Sequence, residues 1–248
     1  MLPLAKFRET CAPRPATALG GPGTALGRTS AKMSEGASTV GIVSLTVTVP
    51  APREGMPLAD LDFAVVDLET TGWSPEQGAI TEIGAVRMRG GVRCGEFSSL
   101  VNPGVPVPAC IEELTGISDW MLAAAPRLAA VLPELLRFAD GCVLVAHNAP
   151  FDLGFLAAGC TDCGITWPPF TTVDTVMLAR QLMDPDEVPD CKLRTLAQFF
   201  RARTTPSHRA LADARATADI LGSLLGRLAR HDIRTLGQLS TWPDVVVA

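Results

Sequence analysis

Asp67 and Glu69 stand one residue apart at the end of the apolar run Phe63-Ala64-Val65-Val66. Residues two apart in a strand point to the same face, so this spacing sets the two carboxylates side by side. Like charges forced together at the mouth of a core strand raise a pKa unless a cation lies between them, and a hard divalent metal is the simple resolution. On this pair alone, solvated acids leading into the turn Thr70-Thr71-Gly72 are the better account. A second segment shifts the balance. His147-Asn148-Ala149-Pro150-Phe151-Asp152 directly follows the apolar stretch at residues 142–146, which puts another acid just past the end of a core strand. Ligands converging from the ends of neighbouring strands are how open α/β sheets build sites. Pro150 suits the first turn of a helix, where Asp152 would also be favourable simply as a charge near the N-terminus. The third segment, His208-Arg209-Ala210-Leu211-Ala212-Asp213, opens the longest helical pattern in the chain. His208 and Asp213 are five positions apart, a spacing that one helix face does not align, so the pair meets at a metal only with His208 in the preceding loop.

These acids need a sheet to converge on. The run at residues 63–66 reads as a strand buried on both faces. Residues 79–88 and 95–101 follow as strands with Gly90-Gly91 as a hairpin turn, giving a three-stranded meander. Helical patterns fall at residues 111–114 and 126–138, ahead of the strand at 142–146, and then at 151–159, 173–182, 193–200 and 210–229. Strands first, then helices interleaved with further strands, describe a single α/β domain around a mixed sheet.

Of the 248 residues, 47% are hydrophobic, enough for one substantial core. Residues 1–58 are rich in Pro, Gly, Ala, Ser and Thr, poor in acids and without helical period, which predicts a largely disordered extension before a folded domain at 59–230 and a short tail at 231–248. Met33 and Met56 offer downstream starts, and a transit-peptide reading lacks an amphipathic pattern. The alternating residues 43–49 suit an edge strand, ended by Pro50 and Pro52. A formal net charge of −5 argues against a protein that coats duplex nucleic acid, though not against one that grips a strand end with the help of cations. Seven irregularly spaced cysteines fit a reducing cytoplasm, and Cys160-x-x-Cys163 lacks the second ligand pair of a zinc site. With no apolar run near the roughly 20 residues a bilayer requires, no membrane partner is expected.

Taken in order, the three acidic segments resemble the three exonuclease motifs of the DEDDh group, the family of the epsilon proofreading subunit of bacterial replicative DNA polymerase. The resemblance covers residues 60–228, and Leu114-Thr115-Gly116-Ile117 is similar to a segment that in this family lies against the terminal nucleotide. The sister group carries tyrosine in place of the third-motif histidine, and this chain has no tyrosine. The resemblance implies a ribonuclease H-like fold, a five-stranded mixed sheet flanked by helices. It further implies metal-dependent 3′→5′ hydrolysis from the 3′ end of single-stranded or mismatched DNA, in proofreading or repair. Two cations, Mg²⁺ or Mn²⁺, are then expected, with Asp67 bridging them, Glu69 and Asp213 completing the site of the attacking water and Asp152 holding the ion that faces the leaving oxygen. His208 is the expected general base. Leu68, Thr70, Thr71, Leu114, His147, Asn148 and Phe151 are expected on the substrate side. There Thr71 and the backbone at Leu68 meet the terminal sugar, Phe151 and Leu114 pack on bases, and His147 with Asn148 holds its motif by hydrogen bonds. An exoribonuclease trimming RNA ends is the rival, since nothing here addresses the 2′-hydroxyl. A catalytically silent nucleic-acid-binding module is the rival from another class, and the presence of all five catalytic residues counts against it. DNA polymerase III or the sliding clamp enters as a partner only through Gln238-Leu239-Ser240-Thr241-Trp242, which distantly resembles a clamp-binding peptide. A capping helix with Trp242 packed down is the simpler reading.

Overall fold

The computed structural model describes residues 8–9, 54–242 and 245–247, and its sheet runs in the order β1-β4-β3-β2-β5-β6-β7. The two-residue strands β1 (Arg8–Glu9) and β7 (Val246–Val247) extend the edges of a five-stranded heart: β2 (Asp62–Thr70), β3 (Ile80–Arg89), β4 (Val92–Leu100), β5 (Val143–Ala146) and β6 (Thr172–Asp174). Strands β2, β3 and β4 form the antiparallel meander, while β5 runs parallel to β2 and β6 parallel to β5. The sheet is therefore mixed, as expected. Gly90 and Gly91 join β3 to β4 with φ of 56° and 76°, the positive values that both central residues of a type I′ turn need.

The period of two divides β2 between two cores. Phe63 and Val65 point into one, covered by α5 (Thr175–Leu182), α6 (Leu193–Phe199) and α7 (Ala210–Arg230), whereas Ala64 and Val66 point into the other, covered by α3 (Leu128–Phe138) and α4 (Ala149–Asp162). Two short helices, α1 (Ala109–Thr115) and α2 (Asp119–Leu122), fold over a satellite cluster of Val107, Ile111, Ile117 and Leu122. The helix expected at 173–182 begins at Thr175, because Val173 and Asp174 belong to β6, paired with Val145 and Ala146. A three-residue strand running straight into a helix leaves no turn residues to mark the join.

Most of the expectations for residues 1–58, including the alternating stretch 43–49, lie outside the described residues. The described part begins ahead of the expected domain edge. Leu58 N–H donates to the Arg234 carbonyl (2.7 Å) and Gly237 N–H to that of Glu54 (2.7 Å), tying residues 54–58 to the tail. There the tail forms α8 (Leu236–Ser240), opened by a capping box between Thr235 and Gln238. Leu236 and Leu239 are buried in the α7 core, and Trp242 packs on the same core and against the His231 ring.

Candidate active site

The register of β2 on β3 sets Asp67 opposite Gly84 and Glu69 opposite Glu82. Asp67 and Glu69 continue the face begun by Phe63 and Val65, so they look toward α7, whose first turn carries Asp213. Ligand oxygens of Asp67, Glu69 and Asp213 all lie within 4.8 Å of one another. Asp152 comes from the opposite layer, in the first turn of α4, and its Oδ1 accepts the Leu68 N–H at 3.0 Å. The structure thus gathers four acids from three motifs around the last residues of β2.

Burial makes this arrangement costly for negative charge. Asp67 is held well above the ordinary aspartate range by desolvation, and then by Asp152, Asp213, Glu69 and Glu82 in turn. Glu69 is raised to about 8, again by burial first and then by Asp213, Glu82 and Asp152, with Arg209 opposing. Burial also raises Asp152, against the pull of the Leu68 N–H, and Asp213, against that of the Ser207 N–H at 2.8 Å. The nearby guanidinium of Arg209 does not neutralise the cluster, because it is forked onto Glu82 at 2.9 and 3.0 Å. Clustered carboxylate oxygens with unspent negative charge are the donor set that hard divalent cations favour.

The remaining predicted residues are spread around the acids. His208 sits exposed in the loop before α7, at a φ of 54°. Leu68 is buried on the far face of β2. Thr70 and Thr71 are buried and shape the turn: Thr70 donates to the Gly72 carbonyl (2.6 Å), and Thr71 Oγ1 accepts the Ala79 N–H (2.9 Å). Phe151 is half-buried against Phe155 with ring centroids 5.1 Å apart, and Leu114 is 43% exposed at the end of α1. His147 Nδ1 lies 2.9 Å from Thr175 Oγ1, and burial drops its pKa to about 4, so it is neutral at neutral pH. Asn148 turns the chain into α4 with a φ of 72°.

Two buried acids escaped the reading of the sequence. Asp174 accepts the N–H groups of Asn148 (3.1 Å), Ala149 (3.1 Å) and Val176 (2.8 Å), and so clamps the start of α4 while capping α5. Glu82 accepts from Arg209 and from the Ala210 N–H (3.0 Å), at the start of α7. The available signal was weak: each acid interrupts an apolar strand at a position that pairing later shows to be buried.

The profile of the exonuclease family RNase_T matches residues 64–221, from β2 through the first half of α7. The chain belongs to this exonuclease family. The enzyme is a nuclease. It is 45% identical over 204 residues to the putative bifunctional exonuclease/endonuclease protein MT2247 of Mycobacterium tuberculosis (strain CDC 1551 / Oshkosh), covering 79% of this chain and 32% of that one. It is 39% identical over 180 residues to a PolC-type DNA polymerase III of Caldanaerobacter subterraneus subsp. tengcongensis, covering 73% of this chain and 13% of that one. The chain spans about a third or less of the length of these relatives. Among solved structures, Exonuclease X in complex with 5′ overhanging duplex DNA aligns with a TM-score of 0.55 and 27% identity, covering 66% of this exonuclease and 91% of that chain. No helix among the described residues is long and apolar enough to cross a membrane.

Proposed function

We propose that residues 59–230 of this exonuclease remove nucleotides from the 3′ end of single-stranded or mismatched DNA, using two divalent cations, Mg²⁺ or Mn²⁺. The carrying observation is the convergence of Asp67, Glu69 and Asp213 within 4.8 Å, with Asp152 turned toward the same strand end. Such cations, when bound, supply the positive charge that an anionic phosphate and its departing oxygen require, and they acidify water. Asp67, which feels Asp152, Asp213 and Glu69 alike, would hold the cations together with them. Glu69 and Asp213 hold one side of the site and Asp152 the other, its carboxyl oriented by the Leu68 N–H. His208 would accept the proton of the attacking water, from an exposed loop five positions ahead of Asp213. His147, half-buried and neutral, holds its strand against α5 and moves no proton.

On the substrate side, Thr70 and Thr71 fix the turn beside the terminal sugar with Leu68 and Asn148, while Phe151 and Leu114 offer apolar surface to the last bases without reading them. DNA is favoured because one relative is a DNA polymerase and the aligned Exonuclease X carries DNA. The segment Gln238–Trp242 serves the fold, since Leu239 is fully buried. The free thiols suit action in a reducing cytoplasm.

The test is to offer purified protein 3′-labelled single-stranded DNA, mismatched duplex and RNA, each with Mg²⁺, Mn²⁺ or EDTA, and with Asp67→Ala alongside. Metal-dependent loss of the label from DNA that disappears in Asp67→Ala is expected. Activity in EDTA, or equal activity in the variant, overturns the proposed centre; activity confined to RNA moves the reading to RNA end trimming.

A further inference from the structure

We propose that Glu82 and Gly84 form a seat on β3 that fixes the start of α7, making Glu82 a positioning residue for Asp213 and His208 and not a metal ligand. The claim rests on the proposed metal site, but it concerns how that site is held. A helix begins with N–H groups that have no partner inside the helix, usually served by the residue just before it. Arg209 occupies that place in α7 and its side chain caps nothing. The Ala210 N–H is instead received by Glu82 Oε2 at 3.0 Å, from a strand 128 residues earlier in the chain. The same carboxylate takes a forked pair of bonds from Arg209, Nε to Oε2 at 3.0 Å and Nη2 to Oε1 at 2.9 Å. Three N–H donors thus engage both oxygens of a side chain that is itself buried.

Two residues along β3, on the same face, Gly84 allows the approach that these bonds require. A Cβ at Gly84 would fall 2.2 Å from Leu211 N, 2.3 Å from Ala210 C and 2.5 Å from Ala210 O, all of them backbone atoms that cannot swing aside. A side chain there lifts the first turn of α7 off the sheet. One turn further on, Asp213 bonds back to the Ser207 N–H, and His208 lies inside that closed loop at a positive φ. Residues 207–213 are therefore pinned at two points, to β3 through Glu82 and to themselves through Asp213. Displacing ligands by about 1 Å is enough to cost on the order of 100-fold in a positioned reaction.

The test uses the full chain carrying Glu82→Ala, Glu82→Gln, Gly84→Ala or the double change Glu82→Ala/Gly84→Ala, with Asp213→Asn as the ligand reference. Circular dichroism establishes folding, and Mn²⁺ affinity is measured by calorimetry without substrate. Glu82→Ala and Gly84→Ala are each expected to weaken Mn²⁺ binding by about 10–100-fold, the range for groups that orient ligands. Glu82→Gln, which keeps an acceptor for Ala210, falls between them and the parent. The double change is expected to be little worse than either single one, because both act through one displacement. Hydrogen exchange in metal-free protein reads the seat by itself, and residues 207–213 are expected to exchange faster in both single variants. Parent-like exchange and Mn²⁺ affinity in folded Gly84→Ala overturn the proposal even where Glu82→Ala does not fold. A parent-like Gly84→Ala beside a Glu82→Ala as impaired as Asp213→Asn makes Glu82 a ligand and overturns it too. A parent protein that binds no Mn²⁺ at all sinks the proposed function instead, and leaves the exchange result to judge the seat.

Discussion

Replacing Glu69 by Gln should stabilise the metal-free protein at alkaline pH while abolishing its activity. Glu69 is buried and titrates at about 8 instead of near 4.5, so the native state keeps a proton that the unfolded chain has already released. Between those two values the native state binds more protons than the unfolded one, and stability therefore falls as pH rises. The interval is about 3.5 pH units at roughly 1.36 kcal/mol each, which places the full penalty on the order of 5 kcal/mol above pH 8. The amide keeps the shape of the side chain and carries no charge. Urea denaturation in EDTA at pH 5 and pH 9 measures the effect. The parent and Glu69→Gln should differ little at pH 5, and at pH 9 the variant should unfold at higher urea, by roughly 2 M for a slope near 2 kcal/mol per M. Adding Mn²⁺ at pH 9 should narrow the gap by roughly half, since only the parent gains appreciably from a bound cation, about 2.7 kcal/mol at one hundred times its dissociation constant. A variant less stable than the parent at pH 9 in EDTA, or a difference independent of pH, would refute the electrostatic account of the acid cluster.

Because Asp67, Glu69 and Asp152 hold protons more tightly than ordinary carboxylates, cation binding must release protons, and Mn²⁺ affinity should climb steeply between pH 6 and pH 8; a flat calorimetric profile would contradict this. Asp152→Asn preserves an acceptor for the Leu68 N–H, so its melting temperature should stay near that of the parent while kcat on labelled single-stranded DNA drops at least about 100-fold. Asp174→Ala strands three backbone N–H groups and should cost about 2–4 kcal/mol, seen as a melting temperature lower by roughly 5–10 °C. Among the described cysteines, mass-spectrometric alkylation at pH 7.5 should mark exposed Cys110 first and leave Cys142 and Cys160 until last, since burial pushes both of those thiols up to about 11.

The acids that gather at the site were legible in the sequence because each follows a feature that a linear reading detects: an apolar strand before Asp67, another before Asp152, a long periodic helix from Asp213. The elements behind them were legible for the same reason, with α7 spanning Ala210–Arg230 against an expected 210–229. Glu82 and Asp174 were not, since each lies inside a strand whose pairing alone decides that the position is buried, and their partners are 128 and 25 residues away. The short strand β6 was missed because three residues cannot display a period. The role of residues 54–58 against the tail was equally hidden, as it depends on backbone bonds to residues 234–237 that no side-chain pattern encodes.

Asp213 arrives on a helix packed against one face of the sheet and Asp152 on a helix packed against the other, and they meet only at the far end of β2. An ion held there, as proposed, would act as a rivet through both layers. Loosening of either hydrophobic layer should thus register as weaker metal affinity before global unfolding, and saturating metal should make the two layers melt as one.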